Sequence, residues 1–295
     1  TFCDKAFPSI KMADITPSLY VRPKRSYSLI FHQLFHPFVY HLLFFLTKIY
    51  LLTMRFTMKA MILAAGRGQR LRPLTDTLPK PLISIGKDSL ISRLLKQLKQ
   101  AGFNEVIINH AWLGDCLENT LKNGSAYGVK IHYSREHMPG LETAGGIKKA
   151  LPLLTDRNNN SPFLVVNGDI FTDFNLAKAK NIGKKLYDQQ LLAHLWLVPN
   201  PPHHPQGDYS LKDGFLAPAI PKQSYTFSGI GVYQPAFFDK VPAHTPWRLA
   251  NVFAQYFDPP RISSSIYHGL WQDVGSLQRL KEVKAWIATH PLEES

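Results

Sequence analysis

The run Met61-Ile62-Leu63-Ala64-Ala65 passes without a polar transition into Gly66-Arg67-Gly68-Gln69-Arg70, and no other segment limits the fold of this chain so tightly. A short apolar run stopped by glycine reads as a strand buried on both faces, as in parallel sheets. Two glycines let the backbone approach a ligand closely. The basic side chains that follow, with Lys80 bracketed by Pro79 and Pro81, put fixed positive charge where phosphates would lie. The segment therefore reads as a phosphate-handling loop after a buried strand. The two common phosphate motifs do not fit it. A Walker A loop and a dinucleotide fingerprint would each need a glycine where Leu71 stands.

From Lys59 onward, apolar runs alternate with helical periods. Strands are expected over Lys59–Ala65, Glu105–Asn109, Val129–Tyr133, Phe163–Asn167 and Leu191–Val198. Helices are expected from Ser89 to Ala101, where Leu90, Leu94, Leu95 and Leu98 share one face, and over Leu113–Lys122, Thr143–Leu151 and Asn175–Tyr187. This order predicts an α/β fold with a mostly parallel sheet covered on both faces. Past Asn200 the texture changes. Asp213-Gly214 marks a hairpin between Tyr209–Leu211 and Phe215–Leu216, and Tyr225–Tyr233 is β-rich. Leu249–Phe257 and Ser276–Thr289 read as helices and Ser264–Tyr267 as a strand. Residues 200–260 read as a small β-rich elaboration covering one end of the sheet.

The 295 residues carry a formal net charge of +13, which suits anionic partners and also plain solubility. No Lys/Arg block with interleaved aromatics points to nucleic acid. Two cysteines, Cys3 and Cys116, form neither a disulfide framework nor a zinc spacing, so a reducing, cytoplasmic setting is the default. Residues 1–57 stand apart from a domain expected over 58–290. Ser28 to Leu52 approaches the length of a membrane span, but His32, Gln33, His36, Pro37, His41 and Lys48 interrupt it. Three readings stay open: upstream sequence read in frame with Met58 as the start, which is preferred, a membrane anchor, or a soluble extension. No membrane contact is expected unless residues 28–52 are that anchor.

The stretch from Leu63 to Pro81 resembles the signature of the sugar-1-phosphate nucleotidyltransferases, L-A-A-G-x-G-x-R-L-x-P-x-T followed by P-K-P. The resemblance covers Met58 to about Ile287 and implies a Rossmann-like nucleotidyltransferase sheet. Leu164-Val165-Val166-Asn167-Gly168-Asp169 and Trp271-Gln272-Asp273-Val274-Gly275-Ser276 resemble the elements that carry the family's two metal-facing carboxylates, Ser276 replacing a threonine. Asp169 and Asp273 are thus the expected ligands of a magnesium ion, with substrate phosphates completing the coordination. Read on its own, Asp169 is a helix-cap or turn aspartate, and Asp273 a cap for the helix starting near Ser276, a role that can coexist with metal binding. Gly140-Leu141-Glu142-Thr143-Ala144-Gly145-Gly146-Ile147 resembles one subgroup, the N-acetylmuramate-1-phosphate uridylyltransferases, as do Ile108 to Gly114, Asn200 to Asp208 and Phe227 to Ile230.

By position, the resemblance assigns the nucleotide to Leu63, Ala64, Gly66, Gly68, Gln69, Arg70, Lys80 and Asn109. Gly68, Gln69 and Arg70 would hold the triphosphate, Lys80 would sit beside the α-phosphate, and Asn109 would face the uracil; Arg70 and Lys80 are the expected catalytic pair. Glu142, Thr143, Gly145, Asn167, Asp208 and Ser228 are the expected sugar-phosphate residues. Glycines this early in a helix are expected to leave its N-terminal N–H groups open to ligand atoms, although Thr143 as a plain cap would explain them too. Arg72 is a second phosphate contact or a surface charge. His203 and His204 receive no metal role, and Trp112 and Trp271 read as core or pocket wall. The implied reaction joins UTP and a sugar 1-phosphate, N-acetylmuramate α-1-phosphate above all, into UDP-sugar and pyrophosphate. Mannose-1-phosphate guanylyl transfer, glucose-1-phosphate thymidylyl transfer and a non-catalytic nucleotide-sugar-binding subunit are the alternatives.

Overall fold

Ala60 and Ile62 point to one side of the first described strand and Met61 to the other, and all three are fully buried. Such a strand must lie inside a sheet with a layer on each face. The computed structural model describes residues 58–155 and 161–290, so the expectations for residues 1–57 fall outside the described residues. Strand β1 (Ala60–Leu63) lies between β2 (Glu105–His110) and β4 (Phe163–Asn167), parallel to both, and β3 (Lys130–Arg135) continues beside β2. The sheet then extends through β9 (Ser224–Tyr233), β6 (Ala193–Val198), β10 (Ile262–Ile266), β8 (Phe215–Pro218) and β7 (Tyr209–Lys212), giving nine strands in the order 3-2-1-4-9-6-10-8-7. Only β8 and β9 run against the other strands of this sheet, so it is mostly parallel in direction, though not purely so.

Helix α1 (Leu74–Thr77) is a single turn after the glycine loop. One face of the sheet carries α2 (Leu90–Gln100), α3 (Gly114–Leu121) and α5 (Lys178–Asp188), whose Leu94, Leu98, Leu117 and Leu186 meet Ile62, Val106 and Val166. The opposite face carries α4 (Glu142–Leu154) and α6 (Leu249–Phe253), packed on Met61, Ile107 and Val165. Ser89 starts α2 as the spacing predicts: its hydroxyl accepts from Ser92 N–H at 3.2 Å while Ser92 Oγ accepts from Ser89 N–H at 2.8 Å. A third cluster joins Leu71, Phe171, Val274 and Leu280 of the C-terminal helix α7 (Leu277–Thr289).

Two features differ from the sequence reading. The segment 200–260 is not confined to one end of the sheet. The hairpin β7–β8 does sit at the edge, but β9 enters the middle, between β4 and β6, with Ser228 to Tyr233 all buried. Gly229 and Gly231 blur its apolar pattern, and insertion of a late strand depends on nonlocal pairing that no local signal reports. The helix expected to reach Phe257 ends its α-helical turns at Phe253 and closes as a 3₁₀ turn over Ala254–Tyr256.

His194 lies on β6 between two hydroxyls of β10: Nδ1 is 2.8 Å from Ser263 Oγ and Nε2 3.0 Å from Ser265 Oγ. Burial, with a smaller contribution from Lys185, lowers its pKa from 6.5 to about 4. A histidine whose folded pKa is depressed stabilises fully above its unfolded pKa and loses that contribution as pH falls, because only the unfolded chain then takes up the proton. The window runs from pH 6.5 down to about 4, and the loss amounts to about 3 kcal/mol. Urea denaturation of wild type and His194→Gln across this window should show a flatter pH dependence in the variant. Parallel curves would exclude this role for His194.

Candidate active site

Parallel register brings three strand ends into one row. Leu63, the last residue of β1, is opposite Asn109 on β2 and opposite Asn167 on β4. In a sheet ordered 3-2-1-4 the chain leaves β1 toward β2 on one side and returns to β4 on the other, which opens a crevice beyond the carboxyl ends. That crevice has a volume of about 610 Å³. Leu63, Ala64, Gly66, Gly68, Gln69 and Arg70 line it from the loop after β1, Lys80 and Asn109 from its flanks, and Asn167 and Asp169 from the end of β4. Glu142 and Thr143 line it from the start of α4. Gly145, Asp208, Ser228 and Asp273 do not.

The glycine loop is held from within. Gly68 takes φ 68°, and its carbonyl accepts from Leu71 N–H and from Thr75 Oγ1–H, both at 2.9 Å. Leu71 is fully buried, so the loop is pinned to the third hydrophobic cluster. Arg72 does not reach the crevice. Its Nε donates to Asp76 Oδ1 at 2.8 Å, and its side chain is more than half exposed.

Lys80 forms an ion pair with Asp169, joining the P-K-P segment to the end of β4. Asp273 arrives by a separate route. Strand β11 (Trp271–Asp273) pairs antiparallel with β5 (Ile170–Thr172), which sets Asp273 opposite Ile170, and Val274 N–H donates to the Asp169 carbonyl at 2.8 Å. The two predicted metal-facing aspartates are thus neighbours despite their separation in sequence. Asp273 Oδ1 is buried with no hydrogen bond of acceptable geometry; His203 Nε2 lies 3.0 Å away, at ion-pair distance but out of line. Arg279 lies 2.9 Å from Oδ2 in the same manner. Two carboxylates brought in on adjoining segments, one of them in ion-pair contact with His203 and Arg279 but without a well-aligned hydrogen bond on Oδ1, fit a hard divalent cation that also uses ligand oxygens. Among the described residues there is no group of three or more His, Cys, Asp and Glu that would hold such an ion without a ligand.

Asn109 lines the crevice with its amide already committed. Its Oδ1 accepts from Ala64 N–H at 3.0 Å, and its Nδ2 donates to Glu136 Oε1 at 2.7 Å. Glu136 in turn accepts Leu141 N–H on Oε2 at 2.8 Å and is only 7% exposed. One buried carboxylate therefore ties the loop after β1 to the loop before α4. Sequence reasoning missed it, since Ser134-Arg135-Glu136-His137 looks like a solvated polar run.

The start of α4 corrects another expectation. Two of its early N–H groups are not open to a ligand: Ala144 N–H and Gly145 N–H donate to the Trp247 carbonyl at 2.8 and 3.1 Å. Gly145 is needed for packing, because a Cβ there would stand 2.5 Å from the Thr245 carbonyl oxygen. Thr143 is not an N-cap either, its hydroxyl accepting from Leu249 N–H at 2.8 Å. Glu142 itself takes φ 57°, a strained value for a residue with a Cβ.

The structure does not bring Asp208 and Ser228 to the crevice wall. Asp208 accepts Phe227 N–H at 2.8 Å and faces His204 at 3.0 Å. Ser228 is buried and donates to the Trp196 carbonyl at 2.6 Å. Trp271 packs partly buried against the first core cluster rather than on the crevice wall, and its indole N–H donates to the Ser228 carbonyl. His203, which the sequence left without a role, stands beside Asp273.

Gly275 lines the crevice beside Asp273 and Arg70. A Cβ there would collide with Arg279 and stand 2.9 Å from Asp273 Oδ2 and 3.0 Å from an Arg70 terminal nitrogen. Gly275→Ala should lower stability by about 1–3 kcal/mol through overpacking, read as a shifted urea midpoint; a wild-type midpoint would mean that the site yields without cost.

The nucleotidyl transferase family profile matches residues 59–290. The chain is 52% identical over 230 residues, 77% of its own length and 97% of the relative's, to N-acetylmuramate alpha-1-phosphate uridylyltransferase of Neisseria meningitidis serogroup B. It is 29% identical over 224 residues to the mannose-1-phosphate guanylyltransferase catalytic subunit beta of Xenopus tropicalis, covering 74% of this chain and 61% of that one. Its fold matches a putative glucose-1-phosphate thymidylyltransferase from Bacillus anthracis with a TM-score of 0.68 at 20% identity, covering 80% of this chain and 98% of that chain. The profile spans the sheet, the crevice and both aspartates, and the chain belongs to the nucleotidyl transferase family.

Proposed function

We propose that this chain transfers the uridylyl group of UTP to N-acetylmuramate α-1-phosphate, releasing pyrophosphate and forming the UDP-sugar. One observation carries the reading: Lys80, Asp169 and the Asp273 segment converge at the end of β4, beside a glycine loop. The choice of UTP and of this sugar is supported by the 52% identity to an enzyme of that name. The reaction is a nucleotide-sugar step of cell-wall recycling in the cytoplasm. Among the described residues no helix is long and apolar enough to cross a membrane.

The chemistry follows from charge. A sugar 1-phosphate is already an anion, so no general base is needed to make it a nucleophile. One of its oxygens attacks the α-phosphorus in line with the departing pyrophosphate, and the protein supplies alignment and neutralisation. Lys80 leaves Asp169 for an α-phosphate oxygen. Arg70, beside Gly275, covers charge on the leaving side. Asp169 and Asp273 would hold magnesium, which when bound adds charge neutralisation of the phosphates. Glu142 offers its carboxylate to donor groups of the base or the sugar.

Pyrophosphate release should be measured with UTP, GTP and dTTP against N-acetylmuramate, glucose and mannose 1-phosphates. UTP with N-acetylmuramate 1-phosphate should exceed every other pair by about tenfold or more in kcat/KM. A better rate with another pair would replace the substrate assignment, and no release with any pair would remove the enzymatic one. Asp169→Ala should cut turnover by about a thousandfold in a chain that still folds by circular dichroism, and near-wild-type rates would contradict its role.

A further inference from the structure

We propose that Arg67 binds the distal phosphates of the nucleoside triphosphate and that Trp112 is its positioning residue; the inference rests on the reaction proposed above. An arginine between two loop glycines would ordinarily wave in solvent. Here the guanidinium carbon lies 4.0 Å from the centroid of the Trp112 ring. Arg67 Nη2 is 3.9 Å from Asp76 Oδ1, and the side chain is two-thirds buried, at 33% exposure. A planar cation on an indole face is attracted by the ring's quadrupole and stays flat against it.

The ring is fixed in turn. Trp112 Nε1–H donates to the Thr75 carbonyl at 2.9 Å, and Thr75, 1% exposed, donates its hydroxyl to the Gly68 carbonyl at 2.9 Å. The loop that carries Arg67 and the ring on which Arg67 rests thus belong to one bonded unit. Asp76 is already hydrogen-bonded to Arg72, and 3.9 Å is too long for a hydrogen bond to Arg67. Among the described residues Arg67 makes no hydrogen bond, so its donor edge is available to the crevice that it lines.

Position selects the ligand. Trp112 follows β2, whereas the Lys80–Asp169 pair stands at the end of β4, on the far side of β1. Arg67 and Lys80 line the same crevice, and a triphosphate offers several anionic groups in a chain, so that one can meet Lys80 and another Arg67. Arginine suits the task through its planar fork of donors, which engages phosphate oxygens in pairs.

The test is calorimetric titration of the whole 295-residue chain with UTP and with UMP in magnesium buffer. Arg67→Ala should weaken UTP by about tenfold or more and UMP by less than about twofold. Arg67→Lys should retain part of the UTP affinity, since it keeps the charge but loses the fork. Trp112→Ala should weaken UTP in the same selective way, and the double variant should bind no worse than Arg67→Ala, because the ring acts through the arginine. Where Trp112→Ala does not fold, Trp112→Phe, which keeps an aromatic face without the indole N–H, enters the same comparison. Equal losses for UTP and UMP would place Arg67 on the base or ribose and overturn the proposal, and so would an unchanged UTP affinity. Wild type that binds no UTP would remove the proposed function itself; wild type that binds UTP with an indifferent Arg67→Ala removes this inference alone.

Discussion

The register of β1 between β2 and β4 is the constraint on which the crevice depends. Leu63 stands opposite Asn109 and Asn167 at once, so three strand ends finish level and the loops beyond them face one another. The two apolar layers enforce this. Ile62 is buried among the residues of α2 and α3, and Met61 among those of α4. A slip of one residue would exchange the two faces and break both layers, because side chains alternate along a strand. Gly168 N–H also donates to the Leu63 carbonyl at 2.9 Å, which locks the exit of β4 to the exit of β1.

How much of this was legible follows from how local each signal is. β1, α2 and the Asp213-Gly214 hairpin were read from sequence because periodicity, a serine cap and positive φ at 51° and 84° are short-range facts. The strand β9 was seen as β-rich, but its central place depends on pairing with β4 and β6, which nothing in its own residues announces. The crevice divides in the same way. Residues on the loop after β1 and at the end of β4 were found because the motif is continuous. Glu136 was hidden, since a carboxylate that satisfies Asn109 and Leu141 looks in sequence like any surface acid. Asp208 and Ser228 were expected in the crevice, but their polar atoms are used to fasten the segment around β9.

The start of α4 shows how packing and function divide one motif. Its glycine belongs to the close approach of residues 244–248, whose Trp247 carbonyl closes the helix end. Glu142 then carries the strain. A positive φ at a residue with a Cβ costs about 1–2 kcal/mol, and it persists only where the surroundings over-determine it. Here they do: Leu141 is tied to Glu136 on one side, and Thr143 to Leu249 on the other. The backbone turn leaves the Glu142 carboxylate at the crevice, 3.7 Å from Arg248 Nε. Strain at this one position therefore sets where a carboxylate stands at the crevice.

The Lys80–Asp169 pair explains how so charged a crevice can be stable without its ligand. Lys80 is 11% exposed and Asp169 30%, so neither charge is fully solvated, and each would be costly alone. Together they neutralise each other. On the proposed reaction, a nucleotide with its cation would offer both members a replacement partner of the right sign, a phosphate oxygen for the lysine and a metal for the aspartate. Binding would then be an exchange of ion pairs rather than the creation of new buried charge, with the desolvation cost largely met in folding. The same logic covers Arg67, whose charge rests on an indole face and only loosely on Asp76. A ring can hold a guanidinium in place without occupying its donor edge, whereas a carboxylate in hydrogen-bond contact would have to be displaced. Thus the crevice holds one cation by charge, in an ion pair that a ligand would have to exchange, and another by a ring, which leaves the donor edge uncovered.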